Sequence, residues 1–288
     1  MRSVSARIVA ATATAASIGL VGLVGLVGLT LAQARPAGAA ASSTTTTAST
    51  TTTTTTTTPS LSTLSPQAAY AAALKAAGRQ SVHFESELSQ GGVTIEVSGD
   101  SGANSGAQTI TVTRGNLREH VKAMVVGKTG YISANATALR YVVGLTSAQS
   151  SKYANKWLSF PTSNAGLAEL VAGLENAQVA NELQMTGPFS YGPTTTVHGQ
   201  RVRAVRGYVT SETGSKVRVV LYLPVTGTPT PVQEVTNPGA PKGSSTIHGT
   251  VTLTDWGQQI SQTAPSHAVS LLKLSPPSTS GATSTTAG

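Results

Sequence analysis

The chain of 288 residues contains no cysteine. That absence excludes disulfides, thiolate nucleophiles, cysteine zinc sites and any lipid-modified cysteine. Charge is also scarce: only 10% of residues are Asp, Glu, Lys or Arg, and the only aspartates are Asp100 and Asp255. The five histidines, His83, His120, His198, His248 and His267, are scattered, with no i, i+4 pair and no His-Glu-x-x-His motif. Neither a P-loop nor a dinucleotide fingerprint occurs. "GDSGAN" at Gly99 to Asn104 has the letters of a serine-protease nucleophile segment. That chemistry requires a histidine and an aspartate upstream, and the folded region offers only His83 there. A turn between strands explains the same letters. The expectation is a protein without enzymatic activity, catalytic residues, cofactor or metal.

Aromatic residues are few, with 3 Phe, 7 Tyr and 2 Trp. A sizeable sheet therefore has either a thin core or a cavity. No Lys/Arg-rich run occurs. Beyond the first forty residues, 16 basic residues face 11 acidic ones, a mild excess that suits anionic lipid surfaces rather than nucleic acid.

What is present is strongly segmented. Arg2 and Arg7 precede an uncharged stretch from Ile8 to Ala32, followed by small-x-small sites at Ala32-Gln33-Ala34 and Ala37-Gly38-Ala39. Residues 1–40 thus read as a secretory signal peptide or, because the apolar run is long enough to span a bilayer, as an uncleaved membrane anchor. Either places the remainder outside the cytoplasm, secreted or tethered. Thirteen of the fifteen residues from Thr44 to Thr58 are threonine. Residues 41–63 are expected to be an extended polar spacer, a stalk open to O-glycosylation, since such a tract has no apolar face to bury. Residues 64–274 form the expected domain, and 275–288 a Ser/Thr/Pro/Gly/Ala tail.

Within the domain, Ser65-Pro66 caps and opens a helix that Gly78 ends. The period then changes to two. Val82, Phe84, Ser86 and Leu88 alternate with His83, Glu85 and Glu87, and similar alternation continues through about five strands. Gly91-Gly92, the stretch Gly99 to Gly106, and Gly115-Asn116 are the turn signals. In the middle, Leu167, Leu170, Val171 and Leu174 fall at i, i+3, i+4 and i+7, which predicts an amphipathic helix capped by Ser163 or Asn164. A second helical segment runs through Val179 and Leu183 to about Gly187-Pro188. About five more strands follow, with Val202, Ala204 or Val205, and Tyr208 as core candidates. Val217, Val219, Leu221 and Leu223 alternate in the next strand, and Pro229, Pro231 and Pro238 suggest an edge strand or loop around 227–242. The expected fold class is α+β: one strongly curved antiparallel half-barrel sheet of about ten strands, covered on its concave side by helices.

The ordered segments "VVGKTGYISAN", "NKWLSF", "LAELVAGL", "VHGQRVRAVRGYV", "KVRVVLYLP" and "GTVTLTDWGQQISQTAP" carry a family resemblance. Across about Ser65 to Ala268 the chain resembles the mycobacterial LppX/LprG-type lipoproteins and the wider LolA-like group of envelope proteins. The resemblance implies a helix-covered half-barrel with an apolar pocket for acyl chains. The chain departs from those lipoproteins in lacking the anchor cysteine; Ala39 to Ser42 occupies that region.

The expected function is binding of a lipid or other long apolar ligand in the cell envelope, for transfer or display. The alternatives are a non-enzymatic envelope sensor or protein-interaction module of the same fold, and a filled structural domain. Expected partners are the acyl-chain ligand, a membrane surface and an envelope protein. By alternation, the candidate pocket-lining residues are Phe84, Leu88, Ile95, Val97, Ile110, Val112, Leu167, Leu170, Val171, Leu174, Leu221 and Leu223. A one-residue slip in register would turn the strand members outward. Trp157 and Trp256 either line a ligand mouth or close the edge of a small core.

Overall fold

The computed structural model describes residues 61–164, 167–171, 173–174, 179–180, 182–210, 215–239 and 246–274. The signal or anchor segment, the threonine tract and the tail lie outside the described residues. No helix among the described residues is long and apolar enough to cross a membrane.

After a 3-10 turn at Leu61–Thr63, helix α1 spans Pro66–Ala77. The Ser65 hydroxyl accepts from the Ala68 amide at 3.2 Å, Pro66 occupies the first turn, and the Gly78 amide closes the end on Leu74. Its buried face is Ala69, Tyr70, Ala73 and Ala77. Small side chains let the helix axis lie close to whatever it packs on.

Five strands follow as a meander: β1 (Val82–Gln90), β2 (Val93–Ser101), β3 (Ser105–Arg114), β4 (Leu117–Val126) and β5 (Thr129–Ala134). The β1–β2 hairpin closes between Gln90 and Val93 on Gly91 (φ 55°) and Gly92 (φ 80°), the paired positive values that a two-residue turn of this hand requires. The wider glycine stretch is only partly a turn. Gly99 lies inside β2 and Gly106 inside β3, and both serve packing. A Cβ on Gly99 would sit 2.8 Å from Phe84 Cζ, and one on Gly106 would sit 2.4 Å from the Leu174 carbonyl oxygen.

Two short helices that the periodicity did not suggest follow: α2 (Ala136–Tyr141) and α3 (Ser147–Tyr153). The Asn135 carboxamide caps α2, and Thr146 with Gln149 forms a capping box on α3. The remaining strands are β6 (Leu158–Pro161), β7 (Thr186–Val197), β8 (Gln200–Thr210), β9 (Lys216–Pro224), β10 (Gln233–Thr236), β11 (His248–Thr254) and β12 (Val269–Ser270).

All twelve strands form one sheet in the order β12-β6-β5-β4-β3-β2-β1-β11-β10-β9-β8-β7. Every neighbouring pair is antiparallel except β12 with β6. The total exceeds the expected ten because the edge pieces β6 and β12 are too short to show a period. The proline-rich segment also differs from expectation. Its strand β10 is interior, between β9 and β11, with Pro229, Pro231 and Pro238 outside it.

The two end strands do not pair, so the sheet stays open. Laid flat, twelve strands at about 4.8 Å spacing would span roughly 50 Å. Yet buried side chains from β1–β6, β8, β9 and β11, with α1 and α2, join one continuous core. The sheet therefore curls around that core as a half-barrel.

The cover differs from the predicted amphipathic helix. Its described residues form a 3-10 turn at Ala168–Leu170, with Val171 at φ −121° and Gly173 at φ 76°. The residue in its N-cap position is Leu167, which offers no side-chain cap, and the Asn164 carbonyl accepts the Leu167 and Ala168 amides. The physical reason lies in the sheet. The Gln108 side-chain amide donates to the Leu170 carbonyl at 2.9 Å, and the Gly102 amide donates to the Leu174 carbonyl at 3.3 Å. Those carbonyls bond outward to the sheet. Further on, a helical turn closes from the Leu183 amide to the Val179 carbonyl.

Candidate functional site

Strand register places side chains on the concave face in rows. One row runs Leu221, Glu234, Val251, Ser86, Val97, Ile110 and Val121 across seven strands. The neighbouring row, nearer the β1–β2 and β3–β4 turns, runs Gly249, Leu88, Ile95, Val112 and Glu119. All strand candidates named from the sequence share this face. Phe84, Ile95, Val97, Ile110, Leu221 and Leu223 are buried in the core, as are Leu167, Leu170, Val171 and Leu174 from the cover, although those four do not share one regular helix. Leu88 and Val112 belong to the same cluster but stay half-buried. Beyond them Leu117 is 38% exposed.

The cover crosses the concave face from β3 to α1. Leu174 lies on Gly106, Ala180 Cβ is in contact range of Gly78, and Tyr70 of α1 stacks on Phe189 of β7 at 4.9 Å between ring centroids. The Tyr70 hydroxyl donates to the Leu183 carbonyl and accepts the Met185 amide at 2.5 Å. Burial pushes the Tyr70 hydroxyl pKa up, opposed by the bond from Met185. Removing the hydroxyl with Tyr70→Phe leaves a buried amide without its acceptor, so we expect a loss of about 1–3 kcal/mol in urea unfolding. A variant as stable as the parent would show that the clasp is not used.

Alternation alone did not bring out three polar groups on this face. Glu234 is buried between Leu221 and Val251, and its Oε2 has no hydrogen-bond partner among the described residues. Desolvation first, and the Glu182 carboxylate second, push its pKa from an ordinary 4.5 to about 8. At neutral pH it is a carboxylic acid, able to donate a hydrogen bond inside an apolar surround. Glu119 is buried near the turn end; its pKa is raised by desolvation, and Arg114 opposes that shift. Arg114 has a buried Nε without an acceptor among the described residues. The signal for all three was a charged letter at an inward position in an alternating strand, visible once the register is known.

A histidine and an aspartate meet on the convex face. His83 Nδ1 meets Asp100 Oδ1 at 2.8 Å, but Ser101, the next residue, faces the other side of the sheet and is buried. The "GDSG" letters therefore place their serine and aspartate on opposite faces. Among the described residues no cluster of three His, Cys, Asp or Glu could hold a metal. Trp256 Nε1 donates to the Pro231 carbonyl at 2.8 Å and packs against the core. It ties the proline loop down, so it closes a core edge.

No protein-family model matches the chain, and none of the curated proteins does. Among solved structures, the chain is similar to LprF from Mycobacterium bovis: 13% identity, 70% of this chain and 98% of that one, TM-score 0.42. It is similar to the lipoprotein LppX from Mycobacterium tuberculosis, with 14% identity over 68% of this chain and 97% of that one, TM-score 0.42. A LolA superfamily protein from Nitrosomonas europaea is more distant, with 8% identity over 69% and 96% and a TM-score of 0.28. These likenesses concern the fold alone. They fall in the group of proteins that the sequence resembles.

Proposed function

We propose that this chain is a non-enzymatic envelope protein that binds a lipid or another long apolar ligand between the concave face of its sheet and the 167–185 cover, for transfer or display. The observation that carries this reading is apolar surface left uncovered where a filled core would bury it. Leu88 and Val112 face inward yet stay half-buried, and Leu117 beyond them is exposed. An acyl chain laid there removes apolar surface from water at about 0.8 kcal/mol per CH₂, so a fourteen-carbon chain gains roughly 10 kcal/mol before entropic costs. Entry and exit require the cover to move, and its short turns with the Gly173 break are easier to displace than a continuous helix. The likeness to LppX, described as a lipoprotein, accords with an extracytoplasmic location.

The test is organic extraction and mass spectrometry of protein purified from its own envelope fraction, with the intact N-terminal mass read in the same run. A stoichiometric lipid is expected. Leu117→Asp puts a charge on the exposed part of this surface and is expected to weaken fluorescent fatty-acid uptake roughly tenfold or more while leaving the unfolding midpoint nearly unchanged. Lipid-free protein that also takes up no fatty acid overturns the proposal.

A further inference from the structure

The convex face carries a second concavity, separate from the apolar rows. It is a cleft of about 650 Å³ over strands β7, β8 and β9. It exists because β7 does not pair evenly with β8. The register shifts between Thr186 and Ser190 and again between Tyr191 and Thr194, and these irregularities bend the edge strand. Pro188 and Pro193 of β7 form one wall, and Ala204 and Val220, both buried, line it as well. Gly192 leaves room beneath that wall: a Cβ there would sit 2.9 Å from Arg206 Nε.

Four functional side chains converge on the cleft. Tyr208 lies directly opposite Arg218, and Arg206 directly opposite Val220, so the two arginines are diagonal neighbours on adjacent strands. Ala204 faces Tyr222 one step further along the same face. Both guanidinium groups are exposed, no acidic residue lines the cleft, and no ion pair involves either arginine among the described residues. The acidic strand residues of the convex face, Glu85, Glu87, Glu96 and Asp100, lie on β1 and β2, with β11 and β10 between them and β9.

The convex face is thus polarised, and its basic end is concave with tyrosine and proline at the rim. Two neighbouring guanidinium groups suit a phosphoryl oxygen pair. Tyrosine beside them suits the boundary between headgroup and acyl region, where a ring can be half in water. We propose that this cleft binds the phosphodiester headgroup of an anionic membrane lipid, and so sets which side of the half-barrel meets the bilayer. The proposal is independent of cargo on the concave face.

The test uses the full chain with dihexanoyl-phosphatidylglycerol, dihexanoyl-phosphatidylcholine and chain-free glycerophosphoglycerol, read by backbone hydrogen exchange. The apolar segment at 8–32 confers no headgroup preference, and the chain-free probe cannot occupy an acyl site. The expected result is protection across 186–224 with both phosphoglycerol probes and not with phosphatidylcholine. Affinity should fall about tenfold or more in Arg206→Gln/Arg218→Gln, and fall with added salt. Arg206→Lys/Arg218→Lys should retain part of it, because charge survives without the fork geometry. Equal protection by both short-chain lipids, protection confined to the concave face, or full binding by the glutamine variant would each overturn the proposal. Loss of fatty-acid uptake with the cleft intact would count against the cargo reading alone.

Discussion

Replacing Glu234 by glutamine should make the folded domain more stable at pH 8 and flatten its stability between about pH 5 and pH 8. The carboxyl is buried between Leu221 and Val251 of the neighbouring strands, within electrostatic range of Tyr70 from α1 and Glu182 from the cover. Its pKa rises from 4.5 to about 8, so the folded chain holds a proton that the unfolded chain has released over that interval. Stability must therefore fall as pH rises from about 4.5 to about 8. It is at full strength below that window and lost above it, the opposite of an ion-paired carboxylate. The pKa gap corresponds to an effect of the order of 5 kcal/mol. Glutamine keeps the shape and never ionises. Urea unfolding midpoints of parent and Glu234→Gln, measured at pH 5, 6.5 and 8, should coincide at low pH and diverge as pH rises. Parallel curves would show that Glu234 is not the group responsible.

Gly106→Val should separate the sheet from its cover. A Cβ at position 106 would meet the Leu174 carbonyl at 2.4 Å and the Asp100 carbonyl at 2.5 Å, both backbone atoms. A side chain could yield; a paired strand cannot without losing ladder bonds. The cover has to lift, which also breaks the bond from the Gly102 amide to Leu174. We expect a loss of about 3 kcal/mol or more, a melting shift of roughly 6–12 °C for a domain this size, together with loss of ligand retention. Thr109→Val, on the convex face of the same strand, serves as the control and should change stability by less than about 0.5 kcal/mol. Retention of ligand by a destabilised Gly106→Val protein would show that the cover does not hold the cargo.

The two variants probe the cover from opposite sides, and they show why it was hard to read from the sequence. Leu167, Leu170, Val171 and Leu174 have helical spacing, and all four are buried. Spacing reports which residues must leave water, not which backbone path takes them there. Here the sheet competes for the carbonyls of Leu170 and Leu174, and Gly173 adopts a conformation outside the helical region. The reverse happened at α2 and α3. They are too short to show a period, and what opens them is local hydrogen bonding, the Asn135 cap and the Thr146–Gln149 box.

Local chemistry alone determined a good deal in this protein. The capped alanine helix, the meander with its glycine turns, the inward face of β1 to β4 and the exclusion of thiol chemistry all follow from residue types and a period of two. Those features depend on neighbours within a few residues. Tertiary structure decided the rest. Strand order brought β11 beside β1 and made β10 interior, so that Glu234 came to be buried between Leu221 and Val251. It also placed Arg206 diagonal to Arg218 over a bent edge strand. The pairing of β1 with β11 joins positions far apart along the chain, and no local preference encodes it. It arises because an open sheet of twelve strands must curl to bury one face, and curling selects which distant residues meet.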